Sequence, residues 1–474
     1  MAERLTPDIC VIGAGSGGLS VAAAAAAFGV PVVLIEKAEM GGDCLNTGCV
    51  PSKALLAAAR HAALMRDGER FGVKAQGVNV DFRKVQQHVR DVIAAIAPVD
   101  SEERFTGLGV RVIRAAASFK DKRTVVAGDV EIRARRFVVA TGSTAAVPPI
   151  PGLDGVSYLT NETVFDLTEL PGHLLVIGGG PIGLELAQAF RRLGSDVTVL
   201  EAAQPLAKDE PECAAVVLDS LVRDGVTICA GVTVARVARQ GGNIAVTISA
   251  DGKDETIKGS HLLVATGRKA TLEGLGLDAA GIRTDRKGIV TDARLRTSNR
   301  RVYAVGDVAG RLQFTHAANY YAGIVIRNAL FRLPAKADDD AVPWVTYTEP
   351  ELAQTGLTEA QGRARGIRVR IARWPYHDND RAQAEGVTLG HIKVVTDRRG
   401  RILGATIVGA QAGELITAWT LAIAQRLDIR AMAGIVVPYP TLSEIGKRAA
   451  IDSFAPRLTG PWVRRIIRWL RKLG

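Results

Sequence analysis

The chain has 474 residues, 47% hydrophobic and 50 of them glycine, with a formal net charge of +11. That length holds two to four domains with their own cores, and the composition suits a soluble α/β protein with many tight strand-to-helix turns. Five scattered cysteines (Cys10, Cys44, Cys49, Cys213, Cys229) exclude a secreted disulfide scaffold and fit a reducing cytosol with one special pair.

In chain order, Asp8–Ile12 reads as a strand and runs into Gly13-x-Gly15-x-x-Gly18. An alanine-rich helix follows, then a second strand that ends at Glu36 and Lys37. This is the dinucleotide fingerprint in its required setting. Glycines let the backbone approach a pyrophosphate at the helix N-terminus, and the acid at the second strand's end takes a ribose hydroxyl. Ile9 to Ile35 carries no charge, so hydropathy alone would allow a membrane span. Its glycines, Pro31 and the lack of net positive charge ahead of it argue instead for a buried strand, turn and helix, with no export signal.

Next comes Gly41-Gly42-Asp43-Cys44-Leu45-Asn46-Thr47-Gly48-Cys49-Val50-Pro51-Ser52-Lys53, which opens into a helix. Cysteines five positions apart can meet across one helical turn, either as a structural pair or as a redox pair activated by a helix N-terminus. Residues 54–100 read as outer helices with Pro98 as a breaker, and 110–140 as short strands ending at Thr141-Gly142. Three prolines within 147–152 make a stiff linker. The first pattern then repeats: a strand at Leu174–Ile177, Gly178-x-Gly180-x-x-Gly183, Glu185, and a strand ending at Glu201. A second strand-to-Thr-Gly ending closes the unit at Gly267. Two fingerprints imply two dinucleotides.

Together these blocks resemble the class I pyridine nucleotide–disulfide oxidoreductases, the family of dihydrolipoamide dehydrogenase, glutathione reductase and mercuric reductase. The resemblance runs from about Asp8 to Phe454. It implies an α/β fold with two Rossmann-like dinucleotide-binding domains and a C-terminal α+β dimerisation domain. The implied domains are 1–150 and 271–340 for FAD, 151–270 for the nicotinamide nucleotide, 341–455 for dimerisation, and 456–474 as a tail. It further implies a Cys44–Cys49 disulfide that cycles, with Cys49 facing the flavin and Cys44 the exposed thiol that meets substrate. Lys53 and Glu185 match a family pair beside the flavin. FAD contacts are expected at Gly13, Gly15, Gly18, Glu36, Lys37, Gly42, Lys53, Thr141, Gly142, Gly306, Asp307 and Ala317. Nicotinamide-nucleotide contacts are expected at Gly178, Gly180, Gly183, Glu201 and Gly267. His316 matches a histidine that is usually structural. An acid at 201 accepts a free 2′-hydroxyl and repels a 2′-phosphate, which favours NADH over NADPH. A homodimer is expected, without metal or nucleic acid.

Two departures from the family pattern bear on function. Disulfide reductases carry His-Pro-Thr-x-Ser-Glu, whereas this chain has Tyr439-Pro440-Thr441-Leu442-Ser443-Glu444. A phenol with an ordinary pKa near 10 is a poor base at neutral pH. Tyrosine here resembles the mercuric-reductase branch, yet no cysteine follows Cys229 to deliver a metal. The second departure is the tail. Ser453–Gly474 holds six basic residues, beginning with Arg457, and no acid. At helical spacing its tryptophans and aliphatics fall on one side and its cations from Arg464 on the other. Such a helix suits either an anionic membrane surface or packing on the dimer with a solvated basic face. Three functions follow: an NADH-driven reductase of a disulfide or thiol-linked acceptor, a membrane-surface NADH:quinone-type reductase, or a non-catalytic FAD-binding scaffold. The intact thiol pair and fingerprints oppose the last.

Overall fold

The computed structural model describes residues 3–454 and 460–473. The chain divides into two compact units, one reaching Ala202 and resuming over Thr227–Asp339, the other formed by Ala203–Val226 and the chain from Asp340 onward.

The first unit contains two parallel sheets, each built around a fingerprint strand. In one, the order is Val302–Ala304, Arg136–Val139, Ile9–Ile12, Val32–Glu36, Val110–Arg114. In the other it is Thr227–Ala230, Asp196–Glu201, His173–Ile177, His261–Val264. Beyond Arg136 and His173, which open two of them, their central strands are apolar runs without alternation and are buried, as parallel sheets covered on both faces require. Small residues let the helices come close. A side chain at Gly17 would stand 3.2 Å from Val305 and 3.4 Å from Ala318, so helix Ser16–Ala27 rests directly on helix Thr315–Ala329.

Helix Cys49–Asp67 packs on helix Pro181–Leu193 and on helix Phe82–Asp100. Pro98 does not break the last of these, which continues to Asp100. The chain turns at Ser101, whose hydroxyl accepts the Arg104 amide and starts the next helix.

The second unit is a five-stranded antiparallel sheet in the order Trp344–Thr346, Glu351–Gly356, Ile402–Gly409, His391–Thr396, Arg370–Pro375. Helices Ala412–Ala424 and Glu444–Asp452 cover it through Ile416, Trp419, Ile445 and Ala449. Helix Pro211–Arg223, from the 151–270 stretch, belongs to this unit, with the Ser220 hydroxyl on the Glu349 carbonyl at 2.9 Å. The tail forms helix Pro461–Leu470 with no buried residue, and Trp462 and Trp469 are exposed. Arg457 and Gly474 lie outside the described residues. Among the described residues no helix is long and apolar enough to cross a membrane.

Candidate active site

Both fingerprints fold alike. At Gly13 the backbone is left-handed, and an added β-carbon would lie 2.4 Å from the Ala140 carbonyl oxygen. One at Gly18 would lie 1.9 Å from the Gly13 carbonyl. Gly178 and Gly183 repeat these contacts with Ala265 and Gly178, at 2.4 and 2.1 Å. The glycines are therefore needed where each helix seats against its strand, with Thr141-Gly142 and Gly267 just beyond the strand that closes over the loop.

Each following helix starts at a glycine, Gly15 or Gly180, with no capping side chain and no acid in its first turn. Free N–H groups and the positive end of the helix dipole thus remain for a pyrophosphate. Glu36 accepts the Ala14 amide at 2.6 Å, and Glu201 accepts the Gly179 amide at the same distance. Both acids stand at the fingerprint loops as a ribose-binding residue must, and the residues present fit two dinucleotides. Lys37 is exposed at the strand end, and an added carbon on Gly42 would meet the Gly15 Cα at 2.8 Å.

The thiol pair sits beyond the first fingerprint. Cys44 lies on the short helix Gly42–Asn46, and Cys49 is the first residue of helix Cys49–Asp67. Both thiols are free. Cys44 is half-buried and Cys49 exposed as residues. Cys44 lines a cavity of about 320 Å³ with Ser16, Ser20, Asp100, Thr315 and Asn319. The hydrogen bond from Cys44 pulls Cys49 down to about 6 against the effect of burial, with help from Thr315 and Lys53. The same bond, together with burial, pushes the Cys44 thiol far up. Negative charge on the pair is thus favoured at Cys49 over Cys44. One turn further on, the Lys53 ammonium meets the buried Glu185 carboxylate at 2.8 Å.

Asp307 follows Gly306, which is left-handed, at the start of a short 3-10 turn. Burial pushes its carboxyl up, opposed by the Ser143 hydroxyl and by Arg268. Arg268 bridges Asp307 at 3.5 Å and Asp43 at 3.2 Å, tying the Thr-Gly ending of the second sheet to the cysteine motif. Ala317 is fully buried in helix Thr315–Ala329, and His316 stacks on Phe314.

Tyr439 and Glu444 belong to the second unit. The Tyr439 side chain is exposed and its hydroxyl donates to Asp380 at 2.8 Å, which raises the phenol pKa further. Glu444 opens helix Glu444–Asp452. Sequence reasoning missed Thr315, Arg268, Ser143 and Asp43. Arg268 left a signal as a cation next to a Thr-Gly ending, and Asp43 as the residue before Cys44.

Residues 7–322 match the family model of pyridine nucleotide-disulphide oxidoreductases, and residues 342–450 match the dimerisation domain of the same family. The mercuric reductase of Streptomyces lividans is 36% identical over 453 residues, spanning 94% of this chain and 95% of that protein. The dihydrolipoyl dehydrogenase of Thermus scotoductus is 37% identical over 459 residues, spanning 93% and 95%. Among solved structures, the Cu(II) complex of the HOCl-induced flavoprotein disulfide reductase RclA from Escherichia coli superposes with a TM-score of 0.84 at 28% identity, covering 93% of this chain and 98% of that one.

Proposed function

This chain belongs to the pyridine nucleotide-disulphide oxidoreductases and is an FAD-dependent NAD(P)H oxidoreductase; from that premise we propose that its electrons leave through Cys44 and Cys49 to a small thiol-reactive acceptor. FAD, when bound, takes a hydride from the nicotinamide and passes on two electrons. The chain's own residues do the rest. The fingerprint glycines and Glu36 hold the flavin nucleotide, and those of the second sheet hold the nicotinamide nucleotide. NADH is preferred, since Glu201 would repel a 2′-phosphate. Cys49 carries the negative charge of the reduced pair beside Lys53, which Glu185 holds in place. Cys44 remains a thiol and exchanges with the acceptor from the cavity wall.

The observation that carries this reading is the geometry of the motif: two free thiols, Cys44 on the short helix Gly42–Asn46 and Cys49 opening the next helix, with the Lys53–Glu185 ion pair one turn further on. Tyr439, in the homodimer that the dimerisation domain supports, donates a hydrogen bond but is no base. The acceptor is therefore one that needs no proton shuttle: a disulfide with an acidic leaving thiol, or a thiophilic metal ion. The names of the mercuric reductase and the RclA Cu(II) complex support the second kind.

A second reading rests on the tail. Helix Pro461–Leu470 exposes Trp462, Ile467, Trp469 and Leu470, and carries arginines with no acid. That face fits an anionic membrane surface, where a quinone-type acceptor would take electrons from the flavin.

Anaerobic NADH oxidation by wild type and Cys44→Ser, with lipoamide, glutathione disulfide, Cu(II) and a soluble quinone as acceptors, separates the two. Disulfide or metal turnover lost in the variant supports exit at the thiols. Quinone turnover that survives it, with the other acceptors inert, overturns that reading in favour of the second. Binding to anionic liposomes that persists after removal of residues 456–474 would sink the membrane role.

A further inference from the structure

The Thr315 hydroxyl meets the Cys49 sulfur. Thr315 is the first residue of helix Thr315–Ala329, and its Oγ1 lies 3.4 Å from the Cys49 Sγ. That helix begins at Phe314 with no capping side chain, and Cys49 itself begins a helix at Gly48, also uncapped. The sulfur therefore stands where the N-termini of a 15-residue and a 19-residue helix converge, and both favour negative charge. The Thr315 helix is firmly seated. Ala317, Ala318 and Tyr321 are buried, and the Tyr321 hydroxyl donates at 2.8 Å to Asp339, which Arg311 also holds at 2.7 Å. Thr315 also lines the cavity onto which Cys44 opens, whereas Cys49 does not.

We infer that Thr315 is a positioning residue for the redox pair: its hydroxyl donates to the Cys49 sulfur and holds it as the thiolate. This rests on the reading that Cys44 and Cys49 are the redox pair. The direction of the hydrogen bond follows from the charge. A thiolate has no proton to give, so only the hydroxyl can donate. The balance of the reduction calls for such a donor. A hydride equivalent from NAD(P)H brings two electrons and one proton; the S–S bond breaks, the proton ends on Cys44, and Cys49 is left anionic. Other charged groups act on the same sulfur. Lys53 stabilises the anion and Asp43 opposes it, while Asp43 is itself engaged by Thr47, Asn161 and Arg268. Thr315 is the contribution that can be removed without altering charge.

The experiment uses the FAD-loaded enzyme, reduced anaerobically with NADH, and titrates the thiolate-to-flavin absorbance against pH. In Thr315→Val the midpoint should rise by about one pH unit. Thr315→Ser, which keeps the hydroxyl, should restore it. Bound flavin and melting temperature, measured on both variants, identify a misfolded site, and the serine variant keeps the comparison decisive if valine perturbs folding. A midpoint unchanged in Thr315→Val, or a serine variant as shifted as the valine one, overturns the inference alone. A wild type that shows no such absorbance at any pH, and gains no pair of reactive thiols on NADH reduction, overturns the redox reading and the inference with it.

Discussion

Lys393 offers the sharpest test of how the second unit holds together. Its side chain is nearly fully buried, and its ammonium lies 2.8 Å from Glu210, 2.6 Å from Glu212 and 2.7 Å from Glu359. These three carboxylates converge within 4.8 Å, the arrangement of a metal site with a lysine at its centre. Glu210 and Glu212 come from the 203–226 segment, so the lysine fastens helix Pro211–Arg223 to the sheet. Lys393→Met keeps the length of the side chain and removes the cation. Breaking a buried ion pair from one side costs about 3–5 kcal/mol. Arg373 still reaches Glu212 at 2.8 Å, and the Glu359 amide still donates to Glu210, so the lower end, about 3 kcal/mol, applies. In a unit of roughly 160 residues that lowers the melting temperature by about 6–12 °C.

The pH dependence gives a second reading of the same cluster. In wild type, burial raises Glu212 but hydrogen bonds from Arg373 and Lys393 bring it to about 2, and Lys393 likewise lowers Glu359. Their contribution is present above the unfolded carboxylate range and fades as pH falls towards about 2. In Lys393→Met the carboxylates lose their shared cation and repel one another, so ionising them together becomes unfavourable. Their share of stability is then full at low pH and lost as pH rises. The gap between variant and wild type should therefore narrow from about pH 8 to about pH 5. Scanning calorimetry of the FAD-loaded protein measures both effects, and adding Glu210→Gln to the variant should recover part of the loss. A melting point within about 2 °C of wild type at both pH values would refute the reasoning.

Three further outcomes are expected. Gly18→Ala pushes a methyl to 1.9 Å from the Gly13 carbonyl, so the protein should purify with little flavin, as its absorbance spectrum would show. Tyr439→His replaces a phenol whose pKa Asp380 raises with an imidazole of pKa near 6.5. Lipoamide turnover should rise by at least about tenfold, and an unchanged rate would mean that position 439 does not face the acceptor. Glu201→Ala should raise the use of NADPH relative to NADH by about tenfold in steady-state kinetics, and an unchanged ratio would place the discrimination elsewhere.

The sequence determined by itself whatever a short run of neighbouring residues can do alone. Both fingerprints, their acids at the next strand's end and the cysteine motif are contiguous, because pyrophosphate binding and thiol activation draw on backbone and local helix geometry. The uncapped helices and the Gly13 and Gly178 contacts follow that reading closely. The second sheet was legible only through the family resemblance, since its inner strands Glu351–Gly356, His391–Thr396 and Ile402–Gly409 are buried on both faces and carry no alternation. Contacts between distant residues were decided only by the tertiary structure. Thr315 meets Cys49 across 266 positions, Lys393 meets Glu210 across 183 and Lys53 meets Glu185 across 132. Lys53 and Glu185 were found through resemblance, and the others left no periodic trace. A threonine at the start of one helix looks like any other until a second helix brings a sulfur to it, and a lysine in a strand reads as solvated until three carboxylates close around it. Which sulfur faces the cavity was decided in the same way. Spacing lets two cysteines meet, but the packing of the surrounding helices gives Cys44 the cavity and Cys49 the hydroxyl.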